Sequence, residues 1–133
     1  MAVTSTTPKP KKLLTKIVNI ARDDSSTEKV VLPKDSVVVS VVVNQTVNAS
    51  TAAATFVLGW SGSTSALLSA FTMATTKVGQ VHPGTATGAS VGTKLDSDKM
   101  VLSTYTVGSS TAGGTGYVII SYYIAGPGET IGD

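Results

Sequence analysis

The sequence predicts an all-β fold: one antiparallel β-sandwich or jelly-roll-like domain behind an extended N-terminal arm. Three observations predict it. Of 133 residues, 18 are Val and 20 are Thr, and branching at Cβ restricts χ1 in a helix while it suits a pleated surface. Seven or eight short apolar runs are separated by Gly, Ser, Asn and Pro turns, the spacing of a sandwich or jelly roll. No segment sustains a helical period for more than about two turns.

The elements follow in chain order. Residues 1–12, MAVTSTTPKPKK, offer no core, and Pro8 and Pro10 forbid a helix, so the stretch reads as extended or disordered. LLTKIVNI (13–20) alternates loosely, as an edge strand or an arm strand, and ARDDSSTEK is a polar turn. The arm is therefore assigned to residues 1–29, the body to 30–126 and a tail to 127–133. In VVVSVVVNQTV (37–47) Val occupies both faces, so this strand is expected to be covered on both sides, by two sheets or by a sheet and a partner. NASTAAA is a connection, TFVLGW (55–60) a strand, SGSTSA a turn and LLSAFTMA (67–74) an irregular strand. KVGQV and SVGTKL read as short strands around the loop HPGTATG. MVLSTYTV (100–107) alternates apolar and polar side chains, as a half-buried strand does. GSSTAGGTG is a loop, and YVIISYYIA (117–125) closes the body. Tyr122 and Tyr123 are adjacent, so one of them is expected on the surface or at an interface.

With no cysteine, neither disulfides nor thiolate metal sites staple this domain. Lys16 and Asn19 interrupt the only greasy part of the N-terminus, so no signal peptide is expected. Elsewhere Ser, Thr, Asn and Gly break every run before about 18 apolar residues accumulate, and no membrane span is expected.

Candidate chemistry is sparse. His82 is the one histidine; a metal site needs several ligands, and no other ligand type lies near it in sequence. Asp96 and Asp98 form the one close acidic pair, but Lys94 and Lys99 flank them, the pattern of a self-neutralised turn rather than a calcium loop. Gly113, Gly114 and Gly116 lie between two strands, not between a strand and a helix N-terminus, so no phosphate cradle is expected. Ser61 in GWSGS lacks the strand-to-helix turn and the partners of a nucleophile elbow. Asn44 and Asn48 match the glycosylation tripeptide, a match that means little without a signal peptide. No catalytic residue, cofactor or metal is assigned, and no enzymatic activity is expected.

Charge distribution is more informative. Only 14% of residues are charged, against roughly 25% in an average soluble protein. Seven basic and three acidic residues precede position 35, whereas three basic and five acidic ones lie from position 35 onward. Residues 36–76 and 100–128 carry no charge at all, together 70 of 133 residues. Alternation along strands puts many of these side chains outside the core, facing water or another protein. Interfaces are depleted in charge because an unpaired ion loses its hydration there, so a self-assembling β-domain is expected. The basic residues Lys9, Lys11, Lys12, Lys16 and Arg22 are the candidate partner contacts. No aromatic residue interleaves with them, so any nucleic-acid contact would run through phosphates without sequence preference; nucleic acid is not the expected partner.

The order LPKDSVVVSVVVNQTVNASTAAATFVLGWSGSTSALLSA, followed by GTKLDSDKMVLSTYTVGSSTAGGTGYVIISYYIAG, resembles small β-sandwich structural proteins from the head-gene regions of tailed bacteriophages. The likeness covers residues 30–125 and consists of strand and turn patterns: an LP opening, the LGWSG turn, a Gly-rich loop and a closing G-Y-V-I-I-S-Y strand. What it implies is a capsid decoration (cement) protein, a homotrimer on the exterior of the virion that meets the major capsid protein and is made in the host cytoplasm. Neck, tail and fibre components share the pattern, and an adhesive carbohydrate-binding module is the alternative from another class. The resemblance marks no site residue. On this reading, deleting residues 1–22 is expected to leave the sandwich folded and to abolish binding to the lattice.

Overall fold

In a computed structural model, residues 12–48, 54–73, 78–81, 84–106 and 114–125 are described. They form eight strands: β1 (Leu14–Ile20), β2 (Thr27–Leu32), β3 (Ser36–Val47), β4 (Thr55–Trp60), β5 (Ser63–Thr72), β6 (Gly79–Val81), β7 (Lys99–Thr106) and β8 (Thr115–Ile124). One three-residue 3-10 turn, Gly84–Ala86, lies between β6 and β7.

The first sheet has the order β1-β8-β3-β6 and the second β2-β7-β4-β5, with every pairing antiparallel. Four pairs (β1 with β8, β2 with β7, β3 with β6, β4 with β5) are those of a single long hairpin. Rolling that hairpin sends alternate pairs into opposite sheets and adds the contacts β8–β3 and β7–β4. This is a jelly roll, the sandwich class expected from the turn spacing.

Period-two alternation fills the space between the sheets. The first sheet contributes Val18 and Ile20, Val38, Val41 and Val43, and Val118, Ile120 and Tyr122; the second contributes Leu32, Phe56, Leu58, Leu68, Phe71, Val101 and Tyr105. Phe56 sits 5.3 Å from Phe71 in a tilted pair and 6.5 Å from Tyr105 in a stacked one, within the range of favourable ring contacts. The Tyr105 hydroxyl donates to the Gly114 carbonyl at 2.9 Å. Burial pushes the Tyr105 phenol above its ordinary pKa, against the opposing pull of Arg22 and of that hydrogen bond. It therefore stays protonated and remains a donor.

The edges are managed differently on the two sides. The edge of β5 is covered by the chain that follows the 3-10 turn: Gly88 N–H donates to Leu67 O at 2.8 Å and Ser90 N–H to Ala66 O at 3.0 Å. The same segment crosses to β3, where Gly92 N–H meets Val38 O at 2.8 Å and Leu95 N–H meets Ser36 O at 2.9 Å. On the opposite side no strand among the described residues pairs with the outer edges of β1 and β2. Along β1 the inward positions are Leu14, Lys16, Val18 and Ile20, with Lys16 half-buried. An inward-facing cation on an edge strand discourages pairing with another strand.

Three sequence expectations change, the first being that SGSTSA, expected as a turn, is mostly strand because β5 begins at Ser63. Residues 14–29, assigned to the arm, form β1 and the first half of β2, so the sandwich begins at Leu14. β1 pairs with β8 over its whole length, from Leu14 opposite Tyr122 to Ile20 opposite Gly116. The cause is burial: Val18 and Ile20 belong to the core. SVGTKL, expected as a strand, is a series of turns with one bridge, Val37 to Lys94; Gly92 at φ 88° breaks it. The irregular strand expected at LLSAFTMA is β5, with shifted register against β4 and Ala70 at φ 53°. Residues 1–11 and the expected tail at 127–133 lie outside the described residues.

The β1–β2 turn rests on Asp24, only 5% exposed. Its Oδ2 accepts the Ala21 N–H at 3.0 Å and its Oδ1 the Lys29 ammonium at 2.9 Å. Removing one member of a buried, hydrogen-bonded pair leaves the other uncompensated. Asp24→Ala is expected to cost about 3 kcal/mol in urea unfolding. Asp24→Asn, which keeps an acceptor for Ala21, should cost less.

A charge-free sheet face as the candidate interface

Strands β3, β4, β5, β6 and β8 contain no Asp, Glu, Lys or Arg. The charges of the described residues lie on β1 and β2, at the start of β7, and in the turns. The face that results is the outer surface of the first sheet. Register builds it row by row. Thr15, Ser121 and Ser40 stand side by side across β1, β8 and β3; Ile17, Ile119 and Val42 form the next row; Asn19, Tyr117, Asn44 and Gln80 form the third, which extends to β6. Neighbouring strands are about 4.8 Å apart, so each three-residue row spans about 10 Å.

The centre of the face is apolar. Ile17 is 57% exposed, and Ile119 and Val42 are half-buried. Val39, extruded by the bulge between Val38 and Ser40, is 46% exposed. The flanks are hydroxyls and amides, and Asn44 Nδ2 donates to the Tyr117 hydroxyl at 2.6 Å. Tyr123, opposite Val37, is half-buried on this outer side, whereas Tyr122 is in the core; the two adjacent tyrosines divide as alternation requires. The double-sided Val pattern of β3 is explained in part. Val38, Val41 and Val43 face the second sheet, and Val37 is buried and forms a single bridge to Lys94, while Val39 and Val42 look outward.

The described members of the candidate basic set do not converge. Lys12 is exposed just ahead of β1, Lys16 is turned inward on β1, and Arg22 lies in the turn after β1. Lys12 and Arg22 are ten residues apart along an extended strand, roughly 30 Å. Lys9 and Lys11 lie outside the described residues, as does His82.

The remaining motifs resolve as turn chemistry. Asp96 pairs with Lys99 at 3.4 Å, and that ammonium holds the Asp96 carboxyl below its usual pKa. Lys94 instead reaches Asp35 at 3.7 Å, and Asp98 Oδ1 accepts the Lys34 N–H at 2.7 Å. Ser61 and Gly62 make a two-residue hairpin between β4 and β5, with Gly62 at φ 87°; no helix follows, so Ser61 is not on a nucleophile elbow. Gly116 faces the Asn44 carbonyl inside the sheet. Among the described residues no group of three or more His, Cys, Asp or Glu could hold a metal ion, and no helix is long and apolar enough to cross a membrane.

A second feature lies on the outer side of the second sheet, at the end where β4 meets β7. A cleft of about 320 Å³ is lined by Glu28, Trp60, Ser61, Asp98, Lys99, Met100 and Leu102. Trp60 belongs to the core and is 8% exposed, and the Lys99 ammonium stands 5.8 Å from its ring centroid. Sequence reasoning singles out Ser61, Asp98 and Lys99 but not Glu28 and Leu102, which become neighbours only through the β2–β7 register. No family model, curated protein or solved structure matches the chain.

Proposed function

We propose that the chain is a virion structural protein: a capsid decoration (cement) protein that trimerises and bridges neighbouring capsomers on the outside of a phage head. The observation that carries this reading is the charge-free outer face of the first sheet. A monomeric surface keeps copies apart with mixed charges. Here three strands present hydroxyls, amides and an apolar Ile17–Ile119–Val42 row instead. Such a face is suited to burial against a neighbour, because desolvating it strands no ion.

The jelly roll itself adds weight only by analogy. The same fold builds viral capsids and lectins, so the choice between them rests on the face and not on the topology. Against the carbohydrate-binding alternative stands Trp60, whose ring is too covered to serve as an open stacking platform. Neck, tail and fibre roles would use the same face; labelling of intact particles in negative stain distinguishes head from tail.

The test is Ile119→Lys, which sets a cation at the centre of the face without touching the core. The variant is expected to keep the parent's urea midpoint. Its self-association in sedimentation should weaken about 100-fold or more, since burying an unpaired ammonium costs several kcal/mol. A parent chain that is a clean monomer at micromolar concentration, insensitive to salt, would sink the assembly reading.

A further inference from the structure

We propose that the outer face of the first sheet docks on the same face of a second copy, across a twofold axis that runs along the Ile17–Ile119–Val42 row. The inference rests on the assembly reading above and names the mate and the orientation of that face. A twofold contact closes at two copies. It is therefore the link between copies of neighbouring trimers and not the contact inside one.

The observation that carries it is the order of side chains along β8. Val118, Ile120 and Tyr122 are in the core, so alternation turns Thr115, Tyr117, Ile119, Ser121 and Tyr123 outward. Rotation about the Ile119 row reverses that order in the second copy. Tyr117 then lies across from Ser121, Tyr123 from Thr115, and Ile119 from its own counterpart. Each ring meets a small hydroxyl residue, the large-against-small arrangement through which facing sheets interdigitate. The rival twofold, along β8 itself, would set Tyr117 on Tyr117 and Tyr123 on Tyr123. It would also leave Ser121 and Thr115 facing their counterparts across gaps, which packed interfaces avoid.

The flanking strands repeat the pattern. The hydroxyl row Thr15–Ser121–Ser40 comes to lie over the amide row Asn19–Tyr117–Asn44 of the mate, while Ile17 and Val42 meet their own counterparts. Hydroxyls and amides both donate and accept, so each polar row finds partners in the other. Asn44 spends one N–H on the Tyr117 hydroxyl, and its second N–H is left for the mate. The outermost rows set Tyr123 and Val37 against Thr115 and Val47, the last of them 51% exposed.

Charge and area agree with a second copy as the mate. β3, β6 and β8 carry no charge, and the one charge of β1, Lys16, is turned inward. The face therefore meets its own copy with no like charges opposed, the device by which surfaces reject a partner. β8 and β3 pair from Ser36 opposite Ile124 to Val47 opposite Thr115, a length of about 34 Å, and with β1 they span about 15 Å. The projected area is about 500 Å², and accessible surface exceeds its projection, which brings the face to the roughly 600 Å² per partner at the low end of standard interfaces.

The chain has no cysteine, so one introduced thiol reports one position. Facing sheets lie about 10 Å apart, within reach of a short bismaleimide. Ile119→Cys in the full-length chain is expected to give a covalent dimer by itself. Thr115→Cys and Tyr123→Cys are expected to give almost none separately, because identical thiols on either side of the axis stand about 27 Å apart. Mixing those two variants should restore the dimer. Urea midpoints equal to the parent's confine the comparison to folded chains; should Tyr123→Cys unfold, the Ile119 and Thr115 variants still decide. A dimer from Thr115→Cys alone overturns the orientation. A parent that sediments as an oligomer while Ile119→Cys yields no link overturns the docking and leaves the assembly reading to another surface. A parent that sediments as a monomer removes both.

Discussion

Gly59→Ala is expected to destabilise the sandwich by about 3 kcal/mol or more, enough to remove much of a small domain's stability. Gly59 lies on β4, opposite Leu102 of β7. A Cβ there would overlap the carbonyl oxygen of Ser63 and the Thr64 carbonyl group. Those atoms are backbone, so no rotamer change relieves the contact. The β4–β5 hairpin would have to open, and with it the register that brings Leu58 opposite Leu68 in the core. Gly62, three residues on, supplies the control. It has open space around its Cβ position but a φ of 87°, so alanine there costs only conformational strain, about 1 kcal/mol. Urea midpoints for the two variants separate collision from dihedral strain. Equal losses would show that the close approach at Gly59 carries no special weight.

Truncation at two points gives the second large effect. Deleting residues 1–11 is expected to leave the unfolding transition unchanged, because every described strand remains. Deleting residues 1–22 removes β1 entirely, and the product is expected to lose cooperative unfolding and to aggregate. Val18 and Ile20 are buried, and Leu14 packs against the core. At about 1.5–3 kcal/mol for each fully buried aliphatic side chain, their loss approaches the whole stability of a domain this size. The deletion also leaves β8 with an unpaired edge beside Val118 and Ile120, a template for aggregation. Scanning calorimetry of the two truncations tests this; a cooperative transition after removal of residues 1–22 would mean that β1 is dispensable. The expectation that this longer deletion isolates the arm is thereby corrected: only the cut at residue 11 tests the arm, and the longer one tests the fold.

The error in the arm boundary has a physical source. Leu14, Val18 and Ile20 alternate as an inward-facing set, but Lys16 occupies one of the inward positions. A cation there makes the strand look like part of a basic tail. Conversely, SVGTKL shows strand-like residues around Gly92, and the positive φ at that glycine turns the chain. Each misreading turns on one side chain whose role depends on what lies across from it.

Much else was legible from the chain alone. Val and Thr content specified strands, Gly and Ser turns specified their number, and the absence of charge from 36–76 and 100–128 foretold a face without ions. Those properties are local or compositional: a β-branched residue prefers a strand wherever the strand goes, and a missing charge is missing in any fold. Which residues share a face also follows from period two. Which strands lie side by side does not. Ile17 meets Ile119 and Ile119 meets Val42 across separations in sequence of some hundred and some eighty residues, and Glu28 meets Leu102 in the same way. Such register is decided by how the rolled hairpin closes over its core, when Val18, Ile20 and Phe56 find their partners together. Tertiary structure alone therefore decided that the uncharged outward side chains of β3 and β8 join those of β1 in one face, and that Trp60 is buried in the core beside Lys99 rather than on an open platform.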